Sequence, residues 1–500
     1  MKSLTIKKTE LIFLFTIVVI GTFFRLYRIS DTVMFLGDQG RDAIIAKNIL
    51  KEGDIALIGP VTSVGNMYLG PFYYYFMVPW LALSYPNPIG PAVGVALVGV
   101  ATIPLLYFIT KNMFSKNAAY FATSIFTFSS VAISQVRFSW NPNLAPTVGL
   151  LIFYFLYKAV KEKKYKYLTW SIIMYAIIIQ LHYMAALLAG FIGLVWIYLL
   201  YKNKKDRKKI AKNTLIGFVF LFISTIPLFV FNQRHNGIIQ KGFSSFFTSS
   251  EEHIRPISRI EKIISDINGN AHKLTTQTYG TDSIIEDQIG LVLIIIGLII
   301  SYKKTKKSKI DSLNVLTLWF AVSLGAMSLY SSSIFTHYIS YTQVVAYILI
   351  GVVLSEYSRI NKHVKVIAAA LSLIIIASNL KTSPSLIKGQ SHLKVAKDTS
   401  ASIYERVNKD EKYNIVLISG TGDIDAQKYR YFLETTDNPP VQKEKRGEVE
   451  SLYIIQEDYF DTKAIDSPIY EIVVFPDKEP KEVYSINNGP TITVLRKNNE

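Results

Sequence analysis

Residues 70–84 read Gly-Pro-Phe-Tyr-Tyr-Tyr-Phe-Met-Val-Pro-Trp-Leu-Ala-Leu-Ser. With Leu69 they form an apolar block whose path, across a bilayer or along its surface, is ambiguous. Its neighbours are clearer spans, at about 9–25, 89–110, 117–135, 144–160, 167–181, 184–201, 213–231, 288–302, 312–330, 338–357 and 364–380. Short basic loops separate them: Lys111 and Lys116; Lys158, Lys161, Lys163, Lys164 and Lys166; the run from Lys202 to Lys209; Lys303 to Lys307; and Arg359, Lys362 and Lys365. Such loops stay in the cytoplasm. If 69–84 crossed, the Lys111/Lys116 loop would face out and every later basic loop would be inverted. If it lies in the interface or re-enters, all of them face in. Pro71 and Pro79 also make it a poor straight span. The sequence therefore predicts an α-helical polytopic membrane protein. It has about 11 transmembrane helices, one in-plane or re-entrant segment, a cytoplasmic N-terminus and an outer C-terminus.

The whole composition agrees. Of 500 residues, 50% are hydrophobic and 18% charged, and mean hydropathy is +0.27. Soluble domains average about 25% charged residues, so disorder, collagen and an ordinary cytosolic enzyme are excluded. The net charge of +17 is unevenly spread: residues 388–500 hold 16 Lys and Arg against 20 Asp and Glu. The excess sits in the short loops, a topology signal rather than a nucleic-acid footprint. With no Cys, disulfides and thiolate chemistry are excluded. Lys2, Lys7 and Lys8 precede the apolar run Leu11–Phe24, and Arg25-Leu26-Tyr27-Arg28 follows without a cleavage site, as in an uncleaved signal anchor. The Lys- and Ile-rich, Cys-free composition points to a prokaryotic plasma membrane.

This threading divides the chain into a transmembrane domain, 1–387, with outer loops at 26–88 and 232–287, and a small extracytoplasmic α/β domain, 388–500. In the latter, Tyr413–Ser419, Leu452–Gln456, Tyr470–Phe475 and Thr491–Leu495 read as strands, and Asp425–Leu433 and Pro480–Ile486 as helices.

From Ile55 through Lys161 there is no Asp or Glu, and the later spans carry none in their interiors. That weighs against ion-coupled transport, which keeps an ionisable group near the midplane. Outer acids are few. Gly37-Asp38-Gln39-Gly40-Arg41-Asp42 opens a helical pattern that places Asp38, Arg41 and Asp42 on one face. A carboxylate there can take a proton from an attacking hydroxyl, and a guanidinium can neutralise a phosphate leaving group. The plainer alternative is an Asp N-cap on an interfacial helix.

Three segments, Phe23-Phe24-Arg25-Leu26-Tyr27, Gly37-Asp38-Gln39-Gly40-Arg41-Asp42-Ala43 and Gly70-Pro71-Phe72-Tyr73-Tyr74, resemble the start of the GT-C membrane glycosyltransferases. The group is that of bacterial relatives of protein O-mannosyltransferases and of the lipid A aminoarabinose transferase. Similar too are Arg137-Phe-Ser-Trp140-Asn141-Pro142-Asn143, Gln180-Leu-His182-Tyr183 and Phe231-Asn-Gln233-Arg234-His235. The resemblance covers about the first 240 residues. It implies the GT-C fold and an inverting transfer of a sugar from a polyprenyl-phosphate carrier to a protein or glycan acceptor at the outer face. On this resemblance Asp38 is the catalytic base. Arg41, Asp42, Tyr74, Trp140, Asn141, His182, Arg234 and His337 are the candidate substrate contacts. Besides membrane lipids and the lipid-linked donor, no cofactor, metal or nucleic acid is expected.

Two departures stand out. Many members carry a second acid where this chain has Asn141-Pro142-Asn143, so either that acid is dispensable or Asp42 replaces it. Some carry a basic residue where Gly70 stands, which shifts phosphate neutralisation to Arg234 and His182. Each candidate also has a plainer reading. Asp42 pairs with Arg41, His182 is an interfacial hydrogen-bonder, Arg234 snorkels, and Tyr74 and Trp140 join an aromatic belt. His235, His253 and His272 are too widely spaced to read as a metal site. Asp423-Ile-Asp425 has the form of a metal motif but lies on the outer side, away from nucleotide sugars. Two other functions compete: a lipid-linked oligosaccharide transporter, and a ligase or polymerase using a diphosphate-linked donor.

Overall fold

The computed structural model describes residues 7–62, 67–248, 269, 274, 311–328, 335–389, 391–442, 445–446, 448–457 and 463–498. Helices dominate: α1 (Lys8–Leu26), α2 (Gly37–Glu52), α3 (Phe72–Ser84), α4 (Ile89–Met113), α5 (Lys116–Phe128), α6 (Ala145–Glu162), α7 (Lys166–Leu181), α8 (Leu188–Lys202), α9 (Arg207–Arg234), α10 (Asp311–Met327), α11 (Ser340–Tyr357) and α12 (Lys362–Lys381). Among the described residues, seven helical stretches are long and apolar enough to cross a membrane, and the shorter Lys166–Leu181 and Ser312–Met327 are also apolar. The predicted span 288–302 lies outside the described residues. The predicted span 117–135 is α5 followed, after a break at Ser129, by the short helix Ser130–Gln135. Buried α11 is the axis, packed mainly on α5 and α6. Gly351 makes that crossing close: a Cβ there would lie 2.4 Å from the Ala118 carbonyl oxygen and 2.8 Å from the Ala122 Cβ.

Contacts at the helix ends fix the threading. Lys111 Nζ, late in α4, lies 2.7 Å from the carboxylate of Glu10, early in α1. Ser312 donates to the Met113 carbonyl at 2.8 Å, and Ser115 and Ser355 share a hydrogen bond at 3.1 Å. One end of the bundle thus gathers the described basic loops, and Lys303–Lys307 lies outside the described residues. At the other end, Asn141 donates to the Leu181 carbonyl at 2.6 Å and the rings of His182 and His337 lie 5.3 Å apart. Helix α3 has both ends at this second end. The Phe72 N–H donates to Gln180 Oε1 at 3.4 Å, and Ser84 bonds the Gly90 N–H at the start of α4 at 3.1 Å. So α1 crosses, α4 returns, and 70–84 does not cross.

Two buried arginines close the helix ends beside the site without a carboxylate. Arg25 donates to the Gly21, Thr127 and Phe126 carbonyls at 3.3–3.4 Å, and Arg137 donates to the Phe24 and Tyr27 carbonyls at 2.9 Å and to Thr32 Oγ1. The last-turn carbonyls of a helix have no intrahelical partner, and here guanidinium forks supply it.

The C-terminal region holds α13 (His392–Tyr404), β1 (Tyr413–Ile418), α14 (Gln427–Leu433), β2 (Ser451–Gln456), α15 (Tyr470–Val474), β3 (Pro480–Ser485) and β4 (Thr491–Arg496). The sheet order is β1-β2-β4-β3, with β1 and β2 parallel and the other pairs antiparallel. Strand alternation splits β2 between two cores. Tyr453 and Ile455 face α13, α14 and the juxtamembrane helices α2 and α3, while Leu452 and Ile454 face α15.

Two elements differ from the sequence expectation. Residues 470–474 form a helix, not a strand, because Ile472 and, just past its end, Phe475 supply the buried face while Val473 and Val474 stay exposed. Residues 480–486 form an edge strand, not a helix. Asn488-Gly489 makes the turn that returns β3 to β4, with Asn488 at φ 54°, and Pro480 is tolerated as the first residue of an edge.

Replacing Arg137 with Leu strands the carbonyls of Phe24 and Tyr27 and should cost about 3 kcal/mol of unfolding free energy in detergent. Arg28→Leu breaks only the exposed pair with Asp31 and should cost less than about 1 kcal/mol. Equal losses in the two unfolding curves would disprove the capping role.

Candidate active site

Helix α2 begins after Leu36, whose N–H donates to Gln39 Oε1 at 3.0 Å. Leu36 therefore holds the cap position and Asp38 lies inside the first turn, so capping does not account for Asp38. Its carboxylate accepts from Arg41 Nη1 at 2.9 Å, and its side chain is 52% exposed. The same guanidinium donates through Nε and Nη2 to Asp42 Oδ1, at 2.9 and 2.8 Å. Asp42 is fully buried and its second oxygen has no hydrogen-bond partner among the described residues. Buried Tyr74 of α3 stands against both Asp42 and Arg41. Burial lifts the Asp42 carboxyl to about 6, against the pull of Arg41. Burial would lower Arg41, but Asp42, Tyr74 and Asp38 outweigh it and hold the guanidinium charged.

Asp38 and Arg41 open on a cavity of about 760 Å³. Trp140, Asn141, His182 and His337 line it as well, and Met67, Leu69, Met184, Leu187 and Phe243 give it apolar walls. The sequence candidates thus meet at one place, with Asp42 and Tyr74 just behind Arg41. Arg234 does not join them: it ends α9 as an exposed side chain and is absent from the described lining. Arg41 is the one cation among the described lining residues, and it is already shared by two carboxylates.

His182 joins α7 to the next turn. Its Nδ1 accepts the Met184 N–H at 3.2 Å, which leaves the ring proton on Nε2. Burial, with His337 nearby, holds it well below the usual imidazole range, so it is a neutral donor. His337 packs against Trp140 at 4.8 Å between ring centres. The amides of the 141–143 turn are backbone ties. Asn141 bonds the Leu181 carbonyl and Asn143 bonds the Phe138 carbonyl at 3.1 Å, donations that an ionised carboxylate cannot make. Asp423-Ile-Asp425 is likewise spent on structure: Asp423 accepts the Gln427 N–H at 3.0 Å and Asp425 accepts Arg446 at 2.6 Å.

Sequence reasoning missed the wall built by residues 59–62 and 67–69. Gly59, Thr62 and Leu69 form a narrow ladder with Leu69, Met67 and Pro60, and Tyr183 donates its hydroxyl to the Tyr68 carbonyl. Thr62 lines the cavity with a buried hydroxyl that has no partner among the described residues.

Residues 70–230 match the family described as Dolichyl-phosphate-mannose-protein mannosyltransferase. Over 98% of both chains the structure superposes on ArnT from Cupriavidus metallidurans bound to undecaprenyl phosphate, with a TM-score of 0.63 at 12% identity. The chain has the GT-C fold. A second GT-C structure agrees: the oligosaccharyltransferase AglB from Archaeoglobus fulgidus, with an inhibitory peptide and a dolichol-phosphate, at TM-score 0.51 and 12% identity, over 90% of this chain and 69% of that one. No curated protein matches. The GT-C fold and the apolar helices make this a multi-pass membrane protein, and the cavity lies at the end of the helical bundle where α2 and α3 rest.

A carboxyl raised above its ordinary 3.8 to about 6 favours the folded state only when protonated. That contribution is whole below the unfolded pKa and lost as pH rises through about 6. Wild type should therefore lose more thermal stability than Asp42→Asn between pH 4 and 7. Parallel melting curves would refute the burial argument.

Proposed function

We propose that the chain is an integral membrane glycosyltransferase. It would move a sugar from a polyprenyl-phosphate carrier to an acceptor hydroxyl on the extracytoplasmic face. The observation that carries this reading is the half-exposed Asp38 carboxylate opening into an apolar-walled cavity at the bundle end. Support comes from the family match over 70–230 and from the likeness to a structure described as bound to undecaprenyl phosphate.

In the mechanism, Asp38 accepts the acceptor's hydroxyl proton as that oxygen attacks the anomeric carbon. The bond from that carbon to the carrier phosphate breaks in the same step, and the polyprenyl phosphate leaves with the electron pair. A single displacement inverts the anomeric centre. Arg41 and the His182 Nε2–H are the donors available to the developing phosphate charge, without a metal ion being invoked. The apolar walls suit the first isoprene units, and Trp140 with His337 offers a stacking face to the sugar. The basic-loop end would lie in the cytoplasm of a prokaryotic plasma membrane.

In proteoliposomes supplied with a labelled undecaprenyl-phosphate hexose and an acceptor extract, Asp38→Asn should lower transfer by about 10²- to 10⁴-fold while leaving thermal unfolding unchanged. Undiminished transfer would remove the base. Carrier moved across the vesicle without a new glycosidic bond would instead favour a transporter.

The chain's lack of Cys makes threading easy to test. A cysteine placed at Asn488 should react with a membrane-impermeant maleimide in intact cells, and one placed at Lys205 should not. The reverse pattern would invert the assignment.

A further inference from the structure

Helix α2 has two working faces. One carries Asp38 and Arg41 to the cavity. The other, one residue back along the helix, is pressed against the C-terminal unit. A Cβ on Gly40 would fall 2.4 Å from the Lys428 backbone nitrogen and 2.5 Å from the Gln427 carbonyl carbon. A Cβ on Gly37 would fall 2.7–2.9 Å from the side chain of Asp423. Ala43 and Ala46 continue this face, 1% and 0% exposed. Next to Ala46, Lys47 Nζ meets Glu434 at 2.9 Å, with the two side chains only 9% and 21% exposed. Tyr431 adds a bond from its hydroxyl to the Pro86 carbonyl, at 2.9 Å, just beyond α3.

A glycine at i and i+3 lets another backbone come to van der Waals contact, and a largely buried ion pair resists separation because breaking it strands a charge. Together they leave α2 little freedom to roll or slide.

We infer that α14 of the C-terminal unit is the positioning element for Asp38, seated on the Gly37/Gly40 face of α2 and locked there by Lys47 and Glu434. Lys47 and Glu434 are positioning residues: they touch neither cavity nor substrate and act through the helix. The inference rests on Asp38 being the base. Displacing a catalytic group by about 1 Å can cost about 10²-fold in rate.

The test is charge reversal in the full-length protein, in proteoliposomes with the undecaprenyl-phosphate hexose. Lys47→Glu and Glu434→Lys should each lower kcat about 10- to 100-fold, with KM for the donor changed by less than about threefold. The Lys47→Glu/Glu434→Lys double variant should recover to within about threefold of wild type. Glu434→Gln, which keeps the shape, should give a smaller drop in the same direction. A second readout needs no turnover. Two nitroxides attached to cysteines placed at the exposed positions Glu52 and Leu83 report how α2 lies against α3. Their distance distribution should shift or broaden in each single reversal and return in the double variant. Unchanged distances in the single reversals, or a swap that restores neither distance nor kcat, would overturn the inference. If Asp38→Asn still transfers sugar, the base assignment fails. The distances then decide alone whether α14 holds α2.

Discussion

The ion pair between Glu10 and Lys111 sets the parity on which the rest depends. It fastens the start of α1 to the end of α4, so the chain between them makes one trip across and one back. Everything else in that interval, including α2 and α3, must stay at the far end. A bilayer permits such a path only where each backbone group is paired. At the far end Arg25 and Arg137 meet that demand by donating to the carbonyls where α1 and α5 finish. The site is therefore built on closed helix ends rather than on loose loops.

Much of this was legible in the residues. Loop charge alone predicted that 70–84 stays on one side, and the bonds of Phe72 and Ser84 show the same. The one-face spacing of Asp38, Arg41 and Asp42 also holds, because it depends only on helical geometry. What sequence could not reveal was the use made of polar groups by distant partners. Nothing in Arg137 announces that it serves the Phe24 carbonyl 113 positions away. Arg234 matched a motif by order, yet its side chain ends on the surface, since motif order does not specify which way a helix turns its last residue. The two exchanged elements near the C-terminus are short, and local preference misleads in both: 470–475 is rich in β-branched residues, and 480–486 carries Lys481 and Glu482. Packing against the sheet, and the Asn488-Gly489 turn, chose their form.

The charge balance of the cavity has its own logic. Arg41 is divided between an exposed acid and a buried one. An incoming anion competes for the guanidinium chiefly with Asp38, because Asp42 is sealed behind it with Tyr74. A neutral His182 adds a donor without adding a cation, so it does not compete with Arg41 for the acids.

Lys47 and Glu434 are separated by 387 positions in the chain. At roughly 5–20 residues per second, a ribosome that has finished α2 needs on the order of 20 to 75 s before α14 emerges. Through that interval the glycine face of α2 has no cover. The helix bearing Asp38 thus reaches its final seat only after α14 has emerged, and a chain that stops short of α14 keeps its membrane helices but lacks the part that completes this corner of the molecule.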